Sequence, residues 1–393
     1  MRVKIQQFLG TNHSWRCVGL DMGRALLAHG HDVHLCSTNG YEHFPVDLRP
    51  HVRDDPELGI VAPFHTAPRV LDSAYDLQLS YTAPHNFGHY LRRGTKNRFG
   101  IFNYETTVVP KHFNKFHRDL DLLLPSSGFA GRVFVDSGFP EEKVRVLPHG
   151  IATEEYEDPS HGKLELKTDR SVKVLANIAQ PHLRKNIPGL LKAWGKAFEP
   201  DDDVCLVLKV VAKPLPKYQG ANSKRRGPPP KRVQPFDVDF RDIYRRFCET
   251  FPKRAPIEMV TDFLPSMVPL YNATQVVFSL THAECFWLPG LEGLATKNVV
   301  VAPRYGGQLE FLNDQNSFLV EGKKVRAPRA MQYWEASPRA EMFQPDIDDA
   351  VEKLRAAVFG LSDARERFEE ERARMVKKLT WANVSQELVS LGT

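Results

Sequence analysis

The chain has 393 residues, 42% hydrophobic and 26% charged, with a net charge of +5. That length suits two domains, and there is neither an apolar run of the ~18 residues a membrane-crossing helix needs nor a signal-peptide pattern at Met1-Arg2-Val3. Five scattered cysteines (Cys17, Cys36, Cys205, Cys248, Cys285), with no CxxC pair, argue against a disulfide framework or structural zinc, so a cytoplasmic location is expected.

The first 155 residues alternate strand and helix patterns. Val3 to Phe8 reads as a strand, Gly10-Thr11-Asn12 as a turn, Ser14 to His29 as a helix ended by Gly30, and His31 to Cys36 as the next strand. Further strands are predicted near Asp76–Ser80, Phe99–Asn103, Leu122–Leu124 and Val144–Leu147. Such alternation implies parallel βαβ units. Pro148-His149-Gly150 closes this half, and the polar, acidic stretch from Glu154 to Thr168 reads as a linker.

A second alternation begins at Val172, with a helix over Pro188–Phe198 and strands at Val204–Val211, Ile257–Thr261, Gln275–Leu280 and Asn298–Ala302. Helices are predicted after Met267, Pro289 and Gln308, and one from Phe368 to Leu391 in which Trp381 anchors the domain junction. The expected fold class is α/β: two doubly wound domains over 1–155 and 169–378, then a terminal helix over 379–393 that crosses back. In such sheets ligands bind in the crevice beyond the strands' carboxyl ends. Lys213 to Arg232, within a basic Pro-rich insertion over 213–236, has the composition of a long surface loop and cannot fill a core.

The most informative stretch is Glu284-Cys285-Phe286-Trp287-Leu288-Pro289-Gly290-Leu291-Glu292. It leaves the predicted strand at Gln275–Leu280 and enters a helix, with Glu284 in the loop and Glu292 in the helix's first turn. A helix N-terminus at a strand's carboxyl end attracts anions through its free N–H groups and macrodipole. A carboxylate on each side can grip hydroxyls, so the arrangement suits a nucleotide sugar, with its central diphosphate and two sugars.

In the order and spacing of its motifs the chain resembles the family 4 retaining glycosyltransferases, which have the GT-B fold of two Rossmann-like domains facing each other across a cleft. The likeness rests on Gly30-His31-Asp32-Val33, Leu147-Pro148-His149-Gly150-Ile151, Arg184-Lys185-Asn186, the E-x7-E pair Glu284 and Glu292, and Pro303-Arg304-Tyr305-Gly306-Gly307. It implies that Arg184 and Lys185 hold the donor diphosphate, Glu284 the sugar hydroxyls and Glu292 the ribose. Main-chain N–H groups of Phe286, Trp287 and Leu288 would face the donor, and the Gly10-Thr11 turn would line the cleft opposite. Relatives usually carry glycine at the positions of Cys285 and Trp287, so the Trp287 ring is expected to reshape the pocket. They also place an Arg where Gln180 stands, and a His where Tyr81 or Thr82 stands; His85 is the candidate to reach the sugar instead. No cofactor is implied beyond the donor itself, a UDP-sugar foremost. No metal is implied either: Asp201-Asp202-Asp203 and Asp237-Val238-Asp239 only imitate a DxD motif, and the first precedes its strand.

Basic residues suggest the acceptor. Arg92, Arg93, Lys96, Arg98, Lys111, Lys115 and Arg118, with Phe113 and Phe116 between them, form one cluster, and the Lys213–Arg232 loop forms another. Clustered cations with aromatics point to a polyanion, such as hydroxymethylated DNA bases, while an anionic membrane glycolipid or a polysaccharide are the alternatives. Glu105 is either a paired counter-charge or an acceptor-site group. Two readings from other classes stand beside the transferase: a glycoside hydrolase with paired carboxylates and a nucleotide-sugar epimerase.

Overall fold

The computed structural model describes residues 1–7, 14–37, 75–91, 95–179, 181–210, 238–262, 264–332 and 337–393. Its strands form two parallel sheets and one antiparallel hairpin. The N-terminal sheet holds β1 (Arg2–Gln7), β2 (Asp32–Ser37), β3 (Leu77–Tyr81), β4 (Asn97–Ile101) and β5 (Leu122–Leu123), in the order β2-β1-β3-β4-β5. Helices α1 (Ser14–Ala28) and α2 (Gly128–Asp136) belong to this half. The expected strand at Val144–Leu147 is reduced to a single bridge between Val144 and Leu123. Arg145 and Leu147 still donate to Leu123 and Pro125, but Pro125 and Pro148 have no N–H with which to extend a ladder.

The second sheet holds β6 (Val172–Ala179), β7 (Val204–Val210), β8 (Ile257–Val260), β9 (Val276–Phe278), β10 (Val299–Pro303) and β11 (Phe318–Val320), in the order β11-β10-β9-β6-β7-β8. Every residue of β7 and β9 is buried, as expected of a parallel sheet covered on both faces. One face packs on α3 (Ile187–Ala197) and α6 (Ile347–Phe359), through Leu190, Trp194, Leu354 and Val358. The other packs on α5 (Leu288–Ala295) and α7 (Leu361–Lys378), through Leu291, Leu294, Met375 and Val376. Helix α4 (Phe240–Thr250) flanks α3, and β12 (Gly322–Arg326) pairs with β13 (Glu341–Pro345) as the hairpin.

The strand order reverses between β6 and β9: the chain runs outward one way through β7 and β8, then the other way through β10 and β11. In doubly wound sheets a crevice opens at that point. Two helix expectations are corrected. After Gln308 the chain makes only a single tight turn, Gly307–Glu310, before the turn-forming run Asn313-Asp314-Gln315-Asn316. The segment from Phe368 to Leu391 is two helices, because Thr380 pairs with Ile151 and caps a new helix, α8 (Trp381–Leu391). Trp381, Val384 and Leu388 of α8 lie in the core of the N-terminal sheet with Val18, Met22 and Leu26 of α1.

Candidate functional site

The turn after β6 carries His182, Arg184, Lys185 and Asn186. The His182 ring accepts the Arg184 N–H at 3.1 Å, which fixes the tight turn Leu183–Lys185. Asn186 adopts the left-handed conformation (φ 49°) that Asn tolerates better than most residues. Its side-chain oxygen caps α3 through the Gly189 N–H, and its amide donates to Leu280 O at 2.9 Å. That second bond ties the turn after β6 to the loop after β9. The main chain adds to it: His282 N donates to Arg184 O at 2.7 Å, and Thr281 Oγ1 donates to the same oxygen at 2.9 Å.

These anchors bring Arg184 and Lys185 onto Glu284. Lys185 Nζ lies 2.6 Å from Glu284 Oε1 and Arg184 Nη1 2.7 Å from it. Glu105, from the loop after β4 in the opposite domain, approaches Arg184 Nε at 3.6 Å. Burial by itself would push the Glu284 carboxyl up, but Arg184 and Lys185 outweigh it and hold the group at about 2. Burial lowers Lys185, with Glu284 opposing, and raises Glu105, with Arg184 opposing. Burial, then the two cations, depress the His182 imidazole to about 3, so it stays neutral and can accept. The cluster therefore holds two fixed cations at a switch point, where added negative charge would be stabilised with little reorganisation.

Glu292 is the fifth residue of α5, so it stands in the second turn rather than the first. Tyr271 OH donates to its Oε2 at 2.5 Å and Tyr156 bonds the same carboxylate. Burial raises the Glu292 carboxyl and the two tyrosine hydroxyls oppose the rise. Neither tyrosine was a sequence candidate, because nothing in their spacing from Glu292 marks the contact. Trp287 is the left-handed residue (φ 72°) just before α5, a strained conformation for a large side chain. Its ring lies over Gly290, where a Cβ would fall 2.3 Å from Cε3, and the residue is 5% exposed. The ring therefore packs into the core of the C-terminal sheet, with Phe286 and Leu291. Phe286 is also buried, edge-on to His149 at 5.1 Å, and Leu288 packs against both cores.

The opposite domain closes on this loop. Ser127, the cap of α2, donates from Oγ to Cys285 O at 2.6 Å, and Gly128 N donates to Glu310 Oε2 at 2.8 Å. Gly306 (φ 88°) and Gly307 make the approach feasible: a Cβ on Gly307 would fall 1.6 Å from Cys285 O. The loop after β4 adds the Tyr104 N–H to the Cys285 thiol, Glu105 to Arg184, and Thr107 Oγ1 to Glu341 N at 2.9 Å. Buried beside them, His149 accepts or donates to Tyr81 OH at 3.3 Å, and burial takes its pKa to about 3. The segment Leu147–Ile151 stands out in the sequence, but its packing role does not.

Other candidates lie elsewhere. His85 is exposed on the short turn Pro84–Asn86, 6.2 Å from the Phe113 ring and close to His112. Gly10, Thr11, Arg92, Arg93, Gln180, Asp237 and the 213–236 insertion lie outside the described residues. Lys111, Lys115 and Arg118 are exposed along the turn Lys111–Asp119, with Lys115 Nζ 5.1 Å from the Phe116 ring. Phe113 is fully buried against Phe102, which removes it as a base-stacking surface. Lys96 is exposed, and Arg98 is paired with Asp121. Asp203 accepts from Ser171, and Asp239 caps α4.

No protein-family model and no curated protein matches the sequence. Solved structures match its fold from end to end. HepE from Anabaena, solved with UDP and glucose, superposes with a TM-score of 0.69 at 12% identity, covering 100% of this chain and 99% of that one. The sucrose-phosphate synthase of Thermosynechococcus elongatus gives 0.67 at 12%, covering 100% and 98%. A glycosyltransferase from Rickettsia africae gives 0.64 at 14%, with the same coverage. The chain thus has the GT-B fold of two parallel-sheet Rossmann-like domains.

Proposed function

We propose that the protein is a retaining glycosyltransferase that moves a sugar from a UDP-sugar donor to an acceptor hydroxyl. The observation that carries this reading is the convergence of Arg184 and Lys185 on Glu284 at the reversal between β6 and β9. HepE, similar in fold, has been solved with UDP-glucose. The E-x7-E spacing of Glu284 and Glu292 adds the likeness to family 4.

In this reading the diphosphate lies between the cationic pair and the N-terminus of α5, and Glu292 takes the ribose. As the bond to the sugar breaks, negative charge grows on the leaving diphosphate, and Arg184, Lys185 and the helix N–H groups stabilise it. The sugar gains oxocarbenium character, the acceptor oxygen attacks from the leaving group's face, and the departing phosphate receives its proton. The closed wall of Ser127, Gly128 and Cys285 would exclude water during transfer.

For the acceptor, the exposed Lys111, Lys115 and Arg118 favour a polyanion, with hydroxymethylated DNA bases as the first candidate. Such a base would have to leave the duplex stack. A panel of nucleotide sugars, scored for thermal shift and then for UDP release with and without such DNA, tests both halves. DNA-stimulated release with salt-sensitive DNA retention is the expected result. Liposome binding in place of DNA binding would move the acceptor to a glycolipid, and the absence of any nucleotide-sugar shift would sink the transferase reading.

A further inference from the structure

The loop Tyr104-Glu105-Thr106-Thr107 belongs to the N-terminal domain, yet three of its four residues reach the other one. Tyr104 does so through its N–H to Cys285, Glu105 through Arg184, and Thr107 through Glu341. Arg184 thereby faces a carboxylate on two edges of its guanidinium: Nη1 lies 2.7 Å from Glu284 of its own domain, and Nε lies 3.6 Å from Glu105 across the cleft, an ion pair rather than a hydrogen bond. The two carboxylates face two cations, so the charges of the cluster balance before any further anion is added.

We infer that Glu105 tunes the hold of the site on the donor diphosphate: placed beside Arg184 from the far wall of the cleft, its charge opposes a diphosphate at the same guanidinium. The inference rests on the donor reading above. The physical argument is one of competing anions. A diphosphate seated on Arg184 lies beside two carboxylates. Glu284 is tied to its own domain by the same contacts that hold Lys185, whereas Glu105 rides on the opposite domain and can yield, by withdrawal or by protonation. The charged and titratable groups that face it are Arg184 and Lys185 from the turn after β6, Glu284 and Cys285 from the loop after β9, and Tyr81 at the end of β3. Burial raises the Glu105 carboxyl, which eases proton uptake. Glu105 thus makes donor binding sensitive to how the domains stand, and favours release of the diphosphate product.

Calorimetric UDP binding to the full chain tests this, with Glu105→Gln, Glu105→Asp and Thr107→Val compared with the wild type. Loss of the opposing charge should make Glu105→Gln bind UDP roughly three- to tenfold more tightly. Glu105→Asp keeps the charge and should stay near wild type, and Thr107→Val loosens the loop without touching Arg184 and should do the same. Because a protonated Glu resembles Gln, the ratio of wild-type to Glu105→Gln dissociation constants should fall toward one as the pH drops from about 7.5 to about 5. Glu105→Ser serves the same comparison should the Gln variant not fold. Equal or weaker UDP binding by the neutral variant overturns the inference, as does Thr107→Val reproducing the tighter binding. A wild type that binds no nucleoside diphosphate overturns the donor reading itself, a result distinct from either.

Discussion

Lys185 Nζ sits 2.6 Å from Glu284 Oε1, although the two residues are 99 positions apart in the chain. Arg184 reaches the same oxygen at 2.7 Å. One carboxylate oxygen therefore gathers both cations that the diphosphate would need, and the consequences can be measured.

Removing Lys185 leaves Glu284, in a buried place, with Arg184 as its one remaining cationic partner among the described residues. Lys185→Ala should lower turnover on the order of a hundredfold while weakening donor affinity far less, as expected when transition-state charge loses a donor. Breaking the buried pair should also cost about 1–3 kcal/mol of stability, and a Glu284→Gln background should shrink that cost. Steady-state kinetics with chemical denaturation check both, and unchanged turnover would reject the assignment.

Glu292 is oriented by Tyr271 and Tyr156. Glu292→Ala should weaken UDP binding more than tenfold, whereas Tyr271→Phe, which removes one hydroxyl donor, should cost roughly 1 kcal/mol of binding. Calorimetry ranks the two. An unaltered UDP dissociation constant for Glu292→Ala would remove the ribose role.

His149 is buried neutral, its pKa depressed by burial to about 3, while in the unfolded chain it titrates near 6.5. Its contribution to stability is complete above pH ~6.5 and is lost as the pH falls toward the folded-state value, because the unfolded chain binds the proton first. From pH 7 to 5 the wild type should lose roughly 2 kcal/mol more than His149→Gln. Asp21, raised by burial to about 6, shifts stability the opposite way, but it is common to both proteins and cancels. Denaturant titrations at the two pH values decide the matter; equal losses would mean the ring is protonated in the fold.

The Trp287 ring occupies the space where a Cβ on Gly290 would be. Gly290→Ala alone should destabilise by about 2 kcal/mol through overpacking. In a Trp287→Gly background the same change should turn favourable by about 1 kcal/mol, since Ala is the better helix former. Trp287→Gly itself trades lost burial against relief of its left-handed strain. A Gly290→Ala penalty that is the same in both backgrounds would place the ring elsewhere.

The two alternations of strand and helix were legible because apolar runs such as Val204–Val210 and Val299–Pro303 write their own burial into the sequence. Boundaries shifted where tertiary contacts intervened, as at Thr380, whose pairing with Ile151 ends one helix and starts the next. Glu284, Arg184 and Lys185 were legible as residue types beside strand ends. Phe113 was misread because an aromatic between lysines looks alike in sequence whether it faces solvent or core.

The amino-acid order alone determined the fold class and which charged residues leave which strand, since periodicity and turn chemistry are local properties. Tertiary structure decided that β6 and β9 are neighbours, so that Lys185 meets Glu284. It also decided that Glu105 reaches Arg184 from the other domain and that Tyr156 and Tyr271 converge on Glu292. Those meetings follow from sheet order and domain closure, which are set by the packing of surfaces distant along the chain, and no local pattern records them.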